Sequence, residues 1–92
     1  MKGSHRINAV DKAFADTARR IRVGKALSQV DLSNELGVDQ SVVSRVEAGT
    51  RQLSLGQALN WLQALGLRSD DTARLIKELW EQEGKRPKGF WE

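Results

Sequence analysis

The stretch SNELGVDQSVVS, Ser33 to Ser44, places a single glycine between two short segments whose apolar residues recur at helical spacing. Leu32 and Leu36 lie upstream of the glycine or beside it, Val43 and Val46 downstream, with Val38 between them. Two short helices cross steeply and share a core only where their contact point lacks bulk, and Ser33 supplies that small residue. Gly37 supplies the positive φ that turns the chain within about three residues. If Leu32 and Leu36 face Val43 and Val46 across the bend, then Gln40, Ser41, Ser44 and Arg45 remain outward on the second helix. All four carry hydrogen-bonding side chains. The pattern over residues 28–48 is that of a helix-turn-helix.

Working outward, Ser28 is placed to cap the first of these two helices, with Asp31 as its capping-box partner, and Asp39 to cap the second, which stops at Gly49. An earlier helix starts at Asn8 or Asp11 and runs to about Lys25, with Phe14, Ala18 and Ile21 as its buried stripe. Ser54 and Gln57 form another capping box and open a fourth helix carrying Leu55, Ala58, Leu59, Leu62 and Leu65, closed by Gly66. A fifth begins at Ser69 or Asp70 and reaches about Glu83, with Leu75, Ile76, Leu79 and Trp80 apolar. The expected fold is therefore all-α, a compact five-helix domain over residues 8–84 followed by the tail KRPKGFWE, residues 85–92. Several of these helices are too short to persist alone, so tertiary packing must hold them. The polar start, MKGSHRI, stands outside the helical pattern.

Composition narrows the function. At 92 residues, with 39% hydrophobic and 29% charged, the chain fits a small globular domain. It has no apolar run long enough to span a membrane and no signal-peptide core, and the absence of cysteine excludes disulfides and thiolate metal sites; a cytoplasmic location is expected. The net charge is +3, unevenly spread: residues 1–27 hold seven Lys/Arg against two Asp, while residues 28–67 hold two Arg against four acids. A basic first segment beside an acidic middle steers a polyanion towards one face. For catalysis there is little. The single His5 lies in the polar start, no glycine-rich phosphate loop exists, and Asp70 and Asp71 sit where carboxylates favour a helix N-terminus. No enzyme, metal or cofactor is expected.

The segment RRIRVGKALSQVDLSNELGVDQSVVSRVEAGTRQLSLGQALNWLQALGL resembles the helix-turn-helix domain of the lambda repressor and Cro group, the XRE family, over about residues 17–67. The matching parts are Arg22 followed by LSQ, then L-x-x-x-L-G-V, S-R-V-E-A-G, and a leucine-rich helix ending in LGL. Three positions depart from it. Ala26 stands where glycine is usual at the end of the first helix, so that turn is expected to be strained or reshaped. Ser33 stands for a commoner alanine, and Ala48 for a frequent Asn, Arg or Lys.

The resemblance implies that the helix from residue 40 enters the major groove of double-stranded DNA with its first residues at the bases. Gln40 suits a bidentate pair with adenine, and Arg45 suits guanine or a phosphate; Ser41 and Ser44 are short enough to allow close approach and bond either. The plain alternative for Gln40 and Ser44 is solvent exposure. Gln29, at the first turn of the preceding helix, is placed for a phosphate, and the resemblance adds Thr50, Arg51 and Gln52 in the following loop. It also implies a structural salt bridge between Arg22 and Glu47. Some of Leu67, Leu75, Leu79 and Trp80 are expected to exceed what so small a core covers, and a twofold homodimer through the fifth helix would bury them and match a palindromic operator. Trp61 and Trp80 otherwise read as core. The resulting expectation is a transcriptional regulator, a repressor that occludes its promoter. The alternatives are an antitoxin whose fifth helix or tail grips a toxin, and a helical protein-interaction adaptor; a protein antagonist is more plausible than a small-molecule effector.

Overall fold

The computed structural model describes residues 8–83; His5 and the tail with Phe90 and Trp91 lie outside the described residues. Five α-helices follow one another: α1 (Ala9–Gly24), α2 (Gln29–Leu36), α3 (Gln40–Glu47), α4 (Leu55–Ala64) and α5 (Ser69–Glu83). Each of the first four starts where a short polar side chain replaces the missing helical acceptor for an amide of the first turn. Asn8 accepts from the Asp11 N–H at 2.8 Å, and Asp39 accepts from the Ser41 N–H at 2.9 Å. Ser28 with Asp31 and Ser54 with Gln57 form reciprocal capping boxes. The hydrogen bonds donated by Ser28 hold the Asp31 carboxyl below the usual range, and those from Ser41, with the charge of Arg45, do the same for Asp39.

The same four helices end alike. A left-handed residue turns the chain, and two backbone bonds return to the last turn: Gly37 N–H to Asn34 at 3.3 Å and Val38 N–H to Ser33 at 3.0 Å after α2, with equivalents at Gly49 after α3 and Gly66 after α4. After α1 the same pair of bonds, from Ala26 to Val23 and from Leu27 to Arg22, is built on an alanine at φ 58. The expected strain at Ala26 is thus localised to one left-handed residue bearing a Cβ. The Arg22 guanidinium holds this turn by donating through Nη1 to the Leu27 carbonyl at 2.6 Å.

The core is formed by Ala15 and Ala18 of α1, Leu32 of α2, Val43 and Val46 of α3, Trp61 and Leu62 of α4 with Leu65 beyond it, and Leu75 and Leu79 of α5. Phe14 and Ile21 of the α1 stripe pack at its edge, half-buried. Two expectations change here. Leu75 and Leu79, assigned above to a dimer contact, are only 5% and 8% exposed and belong to the protomer's own interior. Trp80, also read as core, is 73% exposed. The reason is the helical phase of α5: residues 75 and 79 share the stripe that meets α1, and Trp80 falls one residue further round, about 100° away. Leu67 is half-buried against the core.

Candidate nucleic-acid interface

Among the described residues α2 and α3 make the most extensive contact between helices, and the corner between them depends on the small Ser33 and on Gly37, which has no side chain. Ser33 is buried where the helices cross, and its hydroxyl donates to the Val30 carbonyl at 2.7 Å, so the close approach leaves no unpaired polar atom. Gly37 then turns the chain at φ 73 and ψ 33. α3 inserts Val43, fully buried, and Val46 beneath α2. Its opposite side presents Gln40 and Arg45 to solvent, with Ser41 and Ser44 half-buried between them. These four occupy one face at successive helical positions, which gives a rigid short surface of one amide, two hydroxyls and one guanidinium.

Behind that face lies a charged anchor. Arg22 Nε donates to Glu47 Oε2 at 2.6 Å and Arg22 Nη2 to Glu47 Oε1 at 2.9 Å, a bidentate pair joining the end of α1 to the end of α3. Arg19 lies 3.9 Å from the same carboxylate. Burial pushes the Glu47 carboxyl up, but hydrogen bonds from Arg22 and Gln29 and the charges of Arg22 and Arg19 outweigh it and hold the group below its ordinary value. The hydrogen bond to Glu47 raises the Arg22 guanidinium against the opposing effect of burial. A carboxylate at the C-terminal end of a helix opposes the helix dipole, so α3 ends this way only because α1 supplies the cation.

The sequence did not reveal how the two glutamines connect to this anchor. Gln29 Nε2 donates to Glu47 Oε1 at 3.0 Å, and Gln40 Nε2 donates to Gln29 Oε1 at 2.6 Å. Arg22, Glu47, Gln29 and Gln40 therefore form one continuous series from the interior to the exposed face. Each residue was nameable separately; their order depends on the crossing of three helices, which no local spacing encodes. The loop nominees separate. Thr50 Oγ1 donates back to the Arg45 carbonyl at 3.2 Å, beside the end of α3. Gln52 donates to Asp11 Oδ2 at 2.7 Å, and Arg51 is half-buried in a groove with Val10, Asp11 and Phe14, so both are drawn towards the start of α1.

The sequence matches the helix-turn-helix family over residues 19–71, more than half of its length. The chain belongs to that family. Its five-helix fold is lambda-repressor-like, with α2 and α3 as the helix-turn-helix pair. Solved structures agree in architecture. The wild-type restriction-modification controller protein C.Esp1396I superposes with a TM-score of 0.69 at 21% identity, covering 80% of this chain and 97% of that one. A point mutant of the same protein gives 0.70 at 20% identity, over 84% and 99%. Its tetramer in complex with its natural 35 base-pair operator gives 0.69 at 22% identity, over 78% and 96%. No curated protein sequence matches the chain. Among the described residues no helix of this helix-turn-helix protein is long and apolar enough to cross a membrane.

A second surface was legible only in part. Leu55 and Leu59 of α4 and Ile76 of α5 border the apolar groove that Arg51 lines, and all three are exposed, Leu55 by 74%. Trp80 stands one turn beyond Ile76 on the same face. The signal was present in the sequence: α4 and α5 each carry more apolar residues than one buried stripe accommodates.

Proposed function

We propose that the protein is a sequence-specific double-stranded DNA-binding transcription regulator that reads the major groove with α3. The carrying observation is the division of α3 into a buried valine side and an outward side of Gln40, Ser41, Ser44 and Arg45. Eight residues held at both ends and along one side offer the reach and rigidity that base-edge contacts require. Gln40 pairs with adenine, Arg45 with guanine or a phosphate, and the two serines bond whichever lies nearest. Gln29, Thr50, Arg51 and Gln52 contribute phosphate contacts that fix register, with amides and hydroxyls sharing the role with cations. The dependence of affinity on salt is correspondingly modest.

The protein acts as a homodimer on a palindromic operator and represses by occluding a promoter. Support for the second copy comes from the exposed apolar face of Leu55, Leu59, Ile76 and Trp80, which replaces the interface of Leu67, Leu75, Leu79 and Trp80 expected from sequence. The similar controller protein described as a tetramer on its operator supports DNA as the partner and more than one copy per site. Selection from random duplex DNA tests the proposal. It should return a twofold-symmetric site with half-sites about one helical turn apart. In gel shifts Gln40→Ala and Arg45→Ala, each still folded, should bind it more weakly. Wild-type affinity in both variants refutes reading by α3.

A further inference from the structure

We infer that Glu47 selects the base accepted at the Gln40 position by fixing the polarity of two amides in series, although it touches no DNA. This deepens the DNA-reading proposed above and rests on it. Glu47 is 5% exposed at its side chain and sits at the far end of α3 from Gln40, so it acts only as a positioning residue.

The argument is one of donors and acceptors. A carboxylate only accepts, and Glu47 already accepts twice from Arg22. Gln29 therefore turns its NH2 group inward to Glu47 and its carbonyl outward. That carbonyl can only accept, so Gln40 must turn its own NH2 group towards it, as the 2.6 Å bond records. One N–H and the carbonyl of Gln40 remain for an outside partner. An edge of one donor beside one acceptor matches adenine, which offers the N7 acceptor and the N6 donor, and mismatches guanine, which offers two acceptors. With the series reversed, Gln40 would spend its carbonyl on Gln29 and present both N–H groups outward, an edge suited to guanine. An isolated glutamine on a helix samples both; here the buried acid chooses.

The variant Glu47→Gln offers Gln29 a donor where the carboxylate offered an acceptor, and so permits reversal of the series. The test compares base preference by selection from random duplex DNA, and then by gel shift on single-base operator variants, with folding checked by helical circular dichroism. Wild type should prefer adenine at one position of each half-site, the position whose preference Gln40→Ala abolishes. In Glu47→Gln the ratio of affinities for adenine and guanine at that position should fall about tenfold or more, with preferences elsewhere kept. Should Glu47→Gln not fold, Gln29→Met cuts the series while leaving the Arg22–Glu47 pair intact, and the same position should lose its preference.

Unchanged preference at that position in whichever folded variant is measured, whatever the overall loss of affinity, overturns the inference and leaves reading by α3 standing. A wild-type preference for guanine there does the same. A wild-type protein that selects no sequence at all overturns both.

Discussion

Replacing Ala26 by glycine should stabilise the protein, and replacing Gly37 by alanine should destabilise it, by similar amounts. The two residues hold the same place in the same helix ending, with φ of 58 and 73 and matching pairs of returning backbone bonds. A left-handed residue with a Cβ suffers contact with the following carbonyl oxygen, at a cost of about 1–2 kcal/mol. Glycine relieves it, but the freer unfolded chain takes back about 0.4–1 kcal/mol. The balance at position 26 is about 1 kcal/mol in favour of glycine. At position 37 an added Cβ would meet no heavy atom within 4 Å beyond its neighbours, so no clash adds to the backbone penalty and the same balance applies with opposite sign. For a domain of this size 1 kcal/mol shifts the melting temperature by roughly 4–8 °C. Urea denaturation followed by circular dichroism measures both variants against wild type. An Ala26→Gly protein no more stable than wild type would show that no left-handed strain is held at that turn.

Three further outcomes follow from burial and charge. Leu75→Ala should cost about 2–5 kcal/mol of folding stability, whereas Trp80→Ala should change it by less than about 0.5 kcal/mol and weaken self-association in sedimentation; a Trp80→Ala protomer that unfolds is incompatible with its exposed position. Arg22→Ala strips the buried Glu47 carboxylate of its bidentate cation, leaving it only the Gln29 amide and the more distant, exposed Arg19, and should cost about 3–5 kcal/mol, with the double variant Arg22→Met, Glu47→Met losing less; denaturation curves that rank the two the other way contradict the pairing. Because Glu47, Asp31 and Asp39 are held below their ordinary values, their contribution is complete above the unfolded carboxylate range, near pH ~4–4.5, and disappears as pH falls through the lower folded values. Urea midpoints should therefore drop on acidification below about pH 4.5, less steeply in Glu47→Gln, and a flat profile would contradict the assignment.

How far the sequence reached depended on how local the physics was. Capping boxes at Ser28 and Ser54 and the turn at Gly37 are decided within four residues, and the helices begin and end where those signals stand. The outward set on α3 follows from one period of a single helix. The span of α5 was read correctly, but the choice of its buried edge failed for a different reason. Leu75, Ile76, Leu79 and Trp80 are all apolar, so the pattern marks a wide stripe without saying which edge meets α1 and which stays bare. Only the docking angle of the helix divides Leu79 from Trp80. The link from Glu47 through Gln29 to Gln40 passes from α3 to α2 and back in the same way, and depends on a crossing that places residues 18 and 11 positions apart within hydrogen-bond reach.

The two surfaces, the face of α3 and the bare apolar face of α4 and α5, make sense of each other energetically. On the proposed reading, α3 offers two side chains for bidentate base contacts, Gln40 and Arg45, and each good contact of that kind discriminates by roughly 1–3 kcal/mol. One copy thus commands about 2–6 kcal/mol, while separating a specific site from bulk DNA takes about 4–10 kcal/mol. Lengthening the reading helix cannot close that gap, because α3 ends at Glu47, whose carboxylate is bound to Arg22 in the interior. A second copy doubles the readout without changing the helix, and it needs a surface away from α3 on which to pair. Leu55, Leu59, Ile76 and Trp80 lie on helices outside the helix-turn-helix, so pairing through them leaves both reading faces clear. Disrupting that face by Trp80→Ala should therefore reduce discrimination between operator and random DNA more than it reduces binding to random DNA.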